Sequence, residues 1–293
     1  MNPKDIDQRI YDLYDEYCHS KMDRREFLAR AAAIAVVGGS GLAMAKALLP
    51  DYARAQMVSF TDERIKATYV DYDSPGGNGE KIRGYLVQPT GEGPFPSVLV
   101  VHENRGLNPY IEDVARRFAI EGFLALAPDA LSPLGGYPGN DDDGSAMQQQ
   151  LDAGKIHIDM LNGAKFVKAH ELSNGKLGAT GFCFGGGVAN YLAVELGEDI
   201  QAAAPFYGRA AAAEDVPKIK ASLVIHYAEN DERVNAMRPD FEAALKANNV
   251  DYAMHVYEGT RHGFHNNSTP RYNEAAAKLA WDRTIALFKD KLA

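Results

Sequence analysis

The stretch from Leu177 to Leu196 reads LGATGFCFGGGVANYLAVEL and places a cysteine between glycines. Its first four residues are small and apolar, as in a strand buried in a parallel sheet, and its last nine have the composition of a helix. Between them, Gly181-Phe182-Cys183-Phe184-Gly185 has the pattern of a nucleophile elbow, with cysteine in place of the usual serine. The stretch therefore predicts a strand, a sharp turn and a helix that together present Cys183 as a nucleophile.

Two properties of this elbow suit a thiol nucleophile. A sulfur at the first turn of a helix lies at the positive end of the helix dipole, which lowers the pKa of the thiol. The backbone N–H of Phe184 would face the carbonyl oxygen under attack, and the N–H of Asn104 is its expected partner in an oxyanion hole. A small buried core residue is the ordinary alternative for Cys183, but it does not explain the flanking glycines.

Outward from the elbow, strand-like and helix-like segments alternate. Short apolar runs of the kind found in buried strands lie at 97–102, 123–127, 177–180, 202–206, 223–227 and 253–257. Helical patterns lie at about 110–121, 155–170, 186–196, 237–248 and 273–291. Residues 64–73 and 81–88 alternate apolar and polar positions and predict an antiparallel hairpin that opens the domain. The order predicts an α/β architecture with a mostly parallel, doubly wound sheet.

Two late strands are followed by side chains that complement a thiol. Asp231 comes after the run 223–227, and His262 comes after the run 253–257. The order nucleophile, acid, histidine is that of the α/β-hydrolase fold, so Cys183, Asp231 and His262 are predicted to form a catalytic triad. The histidine would take the thiol proton and the acid would orient the imidazole. The alternatives near strand ends are Glu229, Glu232, His226 and His265, which we interpret as surface or packing residues.

The composition argues against several other functions. The net charge is −9, with 31 basic and 40 acidic residues and no long basic stretch, so nucleic acid is not an expected partner. The two cysteines, Cys18 and Cys183, form neither a disulfide framework nor a C-x-x-C site. The aspartates between Gly135 and Gly144 lack calcium-loop spacing and predict a solvated loop. No third ligand accompanies the late histidines, so neither a metal nor another cofactor is expected.

Residues 1–55 are predicted to be a segment distinct from the domain at 56–293. Arg24-Arg25-Glu26-Phe27-Leu28 precedes an uncharged apolar run at 31–45, and Ala53-Arg54-Ala55 offers an A-x-A cleavage pattern. This is typical of a twin-arginine signal, which predicts the export machinery as a partner and a periplasmic or secreted location. The run is shorter than the ~20 residues that span a bilayer, so no stable membrane anchor is expected.

An opposing interpretation keeps residues 1–55 on a cytoplasmic protein. Acidic residues outnumber basic ones before the twin arginines, which is unusual for a signal. The apolar residues Ile6, Ile10, Leu13, Tyr14 and Tyr17 form one stripe of a helix that could dock on the domain.

Over roughly residues 60–293 the sequence resembles the dienelactone hydrolases, or carboxymethylenebutenolidases. The resemblance is carried by the G-[FY]-C-x-G-G elbow, by the loops of Asp231 and His262, and by Glu103 after the first parallel strand. It implies that Glu103 pairs with the resting thiol and accepts its proton when substrate binds. It also implies hydrolysis of a small ester or lactone without a cofactor.

The sequence departs from that family where a substrate carboxylate would be bound. Asn266 occupies the position of an arginine four residues after the catalytic histidine, and residues 144–150 contain no arginine. A substrate other than dienelactone is therefore expected, and lactones, activated esters and thioesters all fit. Arg105 and Tyr207 are predicted to bind substrate, and the other possible replacements for the family arginines are Arg209 and Arg271.

Two other classes of function remain as alternatives. A non-hydrolytic redox sensor or scavenger could use an exposed Cys183 of low pKa, although no resolving cysteine accompanies it. A binding protein could keep this fold after losing its activity. Turnover on an ester substrate separates both from a hydrolase.

Overall fold

The computed structural model describes residues 6–20, 22–34 and 40–293, and a mixed β-sheet forms its centre. Within those residues eight strands lie in the order β1-β2-β4-β3-β5-β6-β7-β8. They are β1 (Ile65–Asp73), β2 (Lys81–Pro89), β3 (Phe95–Val101), β4 (Leu124–Pro128), β5 (Ser173–Phe182), β6 (Ala202–Phe206), β7 (Ser222–Asn230) and β8 (Tyr252–Arg261). β2 is antiparallel to β1 and to β4, and the other neighbours are parallel. The predicted hairpin and the mostly parallel sheet are confirmed.

Helices precede the sheet and connect its strands. They are α1 (Gln8–His19), α2 (Arg24–Ala33), α3 (Gly41–Ala47), α4 (Tyr52–Ala55), α5 (Pro109–Ile120), α6 (Asp141–Gln148), α7 (Ala153–Lys168), α8 (Phe184–Leu196), α9 (Glu232–Asn235), α10 (Arg238–Ala247) and α11 (Glu274–Lys291). The start of α5 shows why such boundaries can be predicted. The side chain of Asn108 accepts a hydrogen bond from the N–H of Ile111, and Pro109 occupies the first helical position.

The central strands are buried on both faces because helices cover both sides of the sheet. Along β3, Leu99 and Val101 belong to an apolar cluster shared with α7 and α8. Val98 and Val100 point to the opposite cluster, which is shared with α5 and α11. This double burial explains why the strand is a continuous apolar run rather than an alternating one.

The prediction of a solvated loop up to Gly144 is wrong, because α6 begins at Asp141. Asn140 caps the helix by accepting a hydrogen bond from the N–H of Asp143, and acidic side chains are favourable in a first turn. The Asp141 carboxylate accepts hydrogen bonds from the hydroxyls of Tyr52 and Tyr137, at 2.7 and 2.9 Å. Asp141 therefore braces α6 against α4.

Apolar side chains of the described residues between Ile6 and Leu49 form a cluster of their own beside the domain, whereas Tyr52 packs against a core cluster of the domain. Ile10, Tyr14 and Tyr17 of the predicted stripe are buried, and the Phe27 ring stacks on that of Tyr17 at 4.8 Å between centroids. The predicted apolar run at 31–45 includes residues 35–39, which lie outside the described residues. Among the described helices, none is long and apolar enough to cross a membrane. The division of the chain at residue 55 stays a prediction.

Replacing Phe118 by alanine is expected to lower the free energy of unfolding by about 3–5 kcal/mol. Phe118 is fully buried, and its ring packs on those of Phe123, Trp281 and Phe288. The matched control is Phe60→Ala, since Phe60 is 70% exposed and should change stability by no more than about 0.5 kcal/mol. Urea denaturation measures both, and equal losses in the two variants would contradict the described core.

Candidate active site

The turn between β5 and α8 holds Cys183 in an uncommon backbone conformation. Its φ is 56° and its ψ is −111°, a region that costs a residue with a side chain about 1–3 kcal/mol. Close packing enforces the turn. A β-carbon at Gly181 would lie 2.2 Å from the carbonyl oxygen of Gly185, and one at Gly185 would lie 2.3 Å from that of Val101. Glycine at these two positions allows the end of β5 to pack closely against the start of α8, and the start of α8 to pack closely against β3.

The parallel pairing of β7 with β8 brings the acid and the histidine together. Asn230 lies opposite Arg261, so the residues that follow each of them, Asp231 and His262, emerge side by side. The Nδ1 atom of His262 lies 2.6 Å from Oδ2 of Asp231, and both side chains are buried. Among the described residues, Nε2 of His262 has no hydrogen-bond partner. A ring nitrogen of His262 lies within 4.8 Å of the Cys183 sulfur, and since Nδ1 is bound to Asp231, we assign this contact to Nε2.

These contacts change the proton affinities of the three side chains. Burial raises the pKa of the Cys183 thiol, but the rings of His262 and His19 outweigh it and hold that pKa well below its usual value. Burial opposes a charged His262, yet the sulfur and Asp231 raise the pKa of this imidazole. Burial also opposes the Asp231 carboxylate, and the hydrogen bond from His262 lowers its pKa nevertheless. The arrangement favours a thiolate beside an imidazolium.

Glu103 is buried after β3, as the resemblance requires, but its hydrogen bond goes to Asn266. The amide nitrogen of Asn266 donates to Glu103 Oε2 at 3.2 Å. Burial, and then the charge of Cys183, raise the pKa of Glu103. The side chain that replaces the family arginine thus binds a carboxylate of the protein. The participation of Glu103 in catalysis stays a prediction.

The alternative acids and histidines take no part in this cluster. His265 is buried with Nδ1 2.6 Å from the hydroxyl of Tyr110, and His226 is buried between a tyrosine and a threonine hydroxyl. Glu229 and Glu232 are exposed. Each alternative therefore has the surface or packing position that the sequence analysis assigns to it.

The end of α1 lies directly over the nucleophile. Nε2 of His19 is 3.5 Å from the Cys183 sulfur, and the side chain of Asn104 donates to the carbonyl oxygen of Cys18 at 2.7 Å. No motif in the sequence points to His19 as a site residue. The available signal is Asp15, four residues earlier on the same helix face, with Oδ1 3.3 Å from Nδ1 of His19.

Tyrosine rings of α1 also cover arginines around the site. The pairs, measured from guanidinium carbon to ring centroid, are Arg261 on Tyr11 at 4.2 Å, Arg271 on Tyr14 at 4.7 Å and Arg105 on Tyr17 at 5.8 Å. Such contacts are favourable because the ring face is electronegative. Arg105 also lies 3.8 Å from Asp141 and is buried. Its predicted role in substrate binding stays a prediction.

A cavity of about 680 Å³ leads to the sulfur with α1 in place. Its wall includes Cys183, Tyr207, Arg209 and Arg233. The ring of Tyr207 lies 4.9 Å from that of His262, and its buried hydroxyl has no hydrogen-bond partner among the described residues. Burial raises the pKa of Tyr207 well above its usual value, so the hydroxyl stays protonated and can donate to a ligand. The cavity can hold a small molecule, and its charged lining consists of Arg209 and Arg233 together with Glu195 and Asp215.

The two predicted oxyanion donors lie at the same cavity. Phe184 is the first residue of α8, where backbone N–H groups have no partner within the helix. Asn104 lines the cavity together with Cys183 and Phe184. Their use as an oxyanion hole stays a prediction.

Comparison with known proteins identifies the same family over most of the chain. The model of the dienelactone hydrolase family matches residues 82–292, and a model described as YqhI-like matches residues 1–36. Escherichia coli (strain K12) has a relative named "Putative hydrolase fragment YghX", 60% identical over 114 residues, which are 39% of this chain and 97% of the relative. Aquifex aeolicus (strain VF5) has a "Putative carboxymethylenebutenolidase", 35% identical over 225 residues, covering 73% of this chain and 96% of the relative.

Among solved structures, the chain is similar to the "Putative Dienelactone Hydrolase from Klebsiella pneumoniae subsp. pneumoniae MGH 78578". The two are 25% identical with a TM-score of 0.66, and the match covers 76% of this chain and 99% of the other. The α/β-hydrolase fold predicted from the sequence is confirmed by this likeness and by the sheet order.

Replacing Gly185 by alanine is expected to destabilise the protein by more than about 2 kcal/mol, because the new methyl group would collide with backbone carbonyls of β3 and of the loop after it. Gly187→Ala is the matched control in the same helix. There the nearest atom to a β-carbon is a side-chain carbon at 3.4 Å, so alanine should be neutral or stabilise by up to about 1 kcal/mol. Chemical denaturation measures both. A stable Gly185→Ala variant would contradict the described elbow.

Proposed function

Because this chain belongs to the dienelactone hydrolase family, a family of ester and lactone hydrolases, we propose that Cys183 attacks the substrate carbonyl with His262 and Asp231 as its catalytic partners. The observation that carries the proposal is the 2.6 Å contact between His262 and Asp231, which leaves Nε2 of the buried imidazole unpartnered near the sulfur. A base held in one orientation beside a thiol is the arrangement that nucleophilic catalysis requires.

The proposed reaction has two steps. The thiol proton passes to Nε2 of His262, the thiolate adds to the carbonyl carbon, and the N–H groups of Phe184 and Asn104 stabilise the oxyanion. As the intermediate collapses, His262 gives the proton to the leaving oxygen and a thioester remains on Cys183. His262 then takes a proton from water, the hydroxide adds to the thioester, and the acid leaves as the thiol re-forms. Asp231 holds Nδ1–H throughout and keeps Nε2 toward the reacting atoms.

The substrate proposed for this site is a small ester or lactone that carries a negative charge. Arg209 and Arg233 lie in the wall of the cavity, and the hydroxyl of Tyr207 can donate a hydrogen bond beside His262. These groups are distinct from the arginine position that Asn266 replaces. A carboxylate on the substrate would thus be bound from the α9 side of the cavity, where Arg233 lies.

Replacing Cys183 by alanine should lower the turnover of p-nitrophenyl esters and simple lactones at least about 10³-fold, since the nucleophile is removed. Cys18→Ala is the matched control, because it removes the other thiol and leaves the elbow intact. The panel should pair each neutral ester with a carboxylated analogue. Turnover that survives in Cys183→Ala would refute the proposed nucleophile. Thiol oxidation without any turnover by the wild type would support the redox alternative.

Asp231→Asn should lower the maximum of kcat/KM about 10²- to 10⁴-fold and narrow its pH profile. In the wild type, the ion pair of the Cys183 thiolate and the His262 imidazolium exists at pH values above the lowered pKa of Cys183 and below the raised pKa of His262. Without the carboxylate the pKa of His262 falls, so activity is lost at a lower pH on the alkaline side. A less cationic His262 also raises the pKa of the thiol, which moves the acidic limb upward. Glu232→Gln, an exposed neighbour, should leave the profile unchanged. An Asp231→Asn profile of wild-type width would contradict the assignment.

The location of the protein is a separate proposal. The twin-arginine motif supports export, with cleavage near Ala55. Contacts between the N-terminal segment and the site loops instead support retention of residues 1–55, since Asn267 donates to the carbonyl of Ala55 and the N–H of Asp51 donates to Ser268, both at 2.7 Å.

We expect the active protein to retain residues 1–55. Cleavage after Ala55 would remove the contacts of Asp51 and Ala55 with the site loops and the contact of His19 with Cys183. The intact mass of the protein recovered from periplasmic and cytoplasmic fractions measures this. A fully active periplasmic species that begins after Ala55 would contradict the expectation.

A further inference from the structure

A second histidine and acid pair lies beside the sulfur, next to the pair that the fold itself supplies. His19 Nε2 lies 3.5 Å from the Cys183 sulfur, and its Nδ1 lies 2.8 Å from the carbonyl oxygen of Asp15 and 3.3 Å from its carboxylate. The rings of His19 and His262 meet edge to face, with centroids 4.7 Å apart. One sulfur is therefore flanked by two imidazoles, and each is held at Nδ1 by an aspartate.

The helix that carries His19 leaves the sulfur accessible. The cavity of about 680 Å³ reaches Cys183 with α1 in place, and His19 is part of its wall. The tyrosine rings of α1 hold the helix to arginines of the domain, and Asn104 holds its last turn. His19 thus occupies a built position beside the substrate path.

Charged and titratable groups surround the sulfur on every side. With those that line the cavity leading to it, they are Asp15 and His19 of α1, Glu103 after β3, His157 of α7, Tyr191 and Glu195 of α8, Tyr207, Arg209 and Asp215 after β6, Asp231 and Arg233 after β7, and His262 after β8. His262 and His19 are the groups that lower the pKa of the thiol among the principal causes of its shift, and of the two only His19 lies within hydrogen-bonding distance of the sulfur. The two rings are the groups that set the charge of the sulfur.

The protonation of His19 follows the charge on the sulfur. Burial opposes the charged ring, but the Cys183 thiolate and the carboxylate of Asp15 raise the pKa of His19 to about 11. Arg233 Nη2 lies 3.1 Å from the same Nε2 atom and can only donate, so that contact belongs to the neutral ring. Protonation of His19 at Nε2 removes this hydrogen bond, and the exposed guanidinium of Arg233 can then turn toward a substrate.

The same three side chains also have the composition of a metal site. The donor atoms of His19, Cys183 and His262 lie within 4.8 Å of one another, as zinc ligands do. The guanidinium of Arg233 opposes a cation here, because it carries a positive charge and approaches the shared nitrogen to 3.1 Å. An imidazolium can relieve that repulsion by releasing its proton, whereas a metal ion keeps its charge. The surroundings therefore favour a His19 imidazole without a bound metal ion.

We propose that His19 is a catalytic residue that donates a hydrogen bond from Nε2–H to the thiolate of Cys183, so that α1 is a working part of the active site. The inference rests on the proposed function, in which Cys183 is the nucleophile. The proton that His19 carries comes from solvent, and the thiol's own proton still passes to His262. When the sulfur becomes a neutral thioester, the charge that held this proton disappears and the ring can return it to solvent.

The test is the pH dependence of Cys183 alkylation by iodoacetamide in the full-length protein. The variants are Cys18→Ala as the parent, His19→Gln, His19→Lys, and His157→Gln as a matched control in the same cavity wall. His19→Gln should move the midpoint of the pH–rate profile upward by one pH unit or more. At pH values below the parent midpoint, the alkylation rate of this variant should then be about tenfold lower than that of the parent. His19→Lys restores a cation and should bring the midpoint back toward that of the parent, and His157→Gln should not move it. Ester turnover is measured on the same samples, with Cys183→Ala as the blank.

Each other outcome is decisive. A His19→Gln profile that overlays the parent profile overturns the proposal, and so does a loss of reactivity without a midpoint shift, which would mark a structural role for α1. Alkylation of the parent that speeds up on addition of EDTA and slows with zinc, without either effect in His19→Gln, would replace the proposal by a metal site. Absence of ester turnover in the parent would reject the proposed hydrolysis but leaves the alkylation test of His19 valid.

Discussion

The positive φ of Cys183 is the constraint on which the rest of the site depends. A side chain in this region is strained, and the strain is held by the approach of the elbow to its own helix and to β3. The turn points the sulfur out of the sheet and leaves the first N–H groups of α8 without helical partners. The same few residues thus produce a half-buried thiol at the cavity and N–H groups at the start of α8 that the helix itself does not use.

The parallel sheet supplies the partners of this sulfur. Neighbouring parallel strands end at the same edge, so residues distant in the sequence meet there without any long loop. The register of β7 with β8 sets Asp231 beside His262, and burial makes their contact strong enough to fix one orientation of the ring. Burial would otherwise keep the thiol neutral. The imidazoles beside the sulfur are what make a buried anion tolerable.

The helices before the domain change the chemistry of its active-site edge. Their apolar cluster is too small to be expected to hold a fold without the domain, and the tyrosine and arginine contacts attach it where the strands end. The arginines under those rings are covered by the chain itself, while Arg209 and Arg233 stay at the cavity. The segment thereby determines which arginines are accessible from the cavity, and it adds the imidazole of His19 to that of His262 beside the sulfur.

The sequence by itself determined the α/β architecture and the candidate nucleophile, acid and histidine, because these depend on local patterns: apolar runs, a glycine-flanked cysteine, and polar residues placed just after strands. It misjudged the aspartates at the start of α6, since a capped helix of polar residues resembles a loop until its tyrosine partners are seen. Only the tertiary structure decided that Asn266 binds Glu103, that Arg105 lies under a tyrosine, and that His19 touches the sulfur. Each is a contact between residues more than 80 positions apart, and local patterns carry no information about which distant side chains a fold brings within hydrogen-bonding distance.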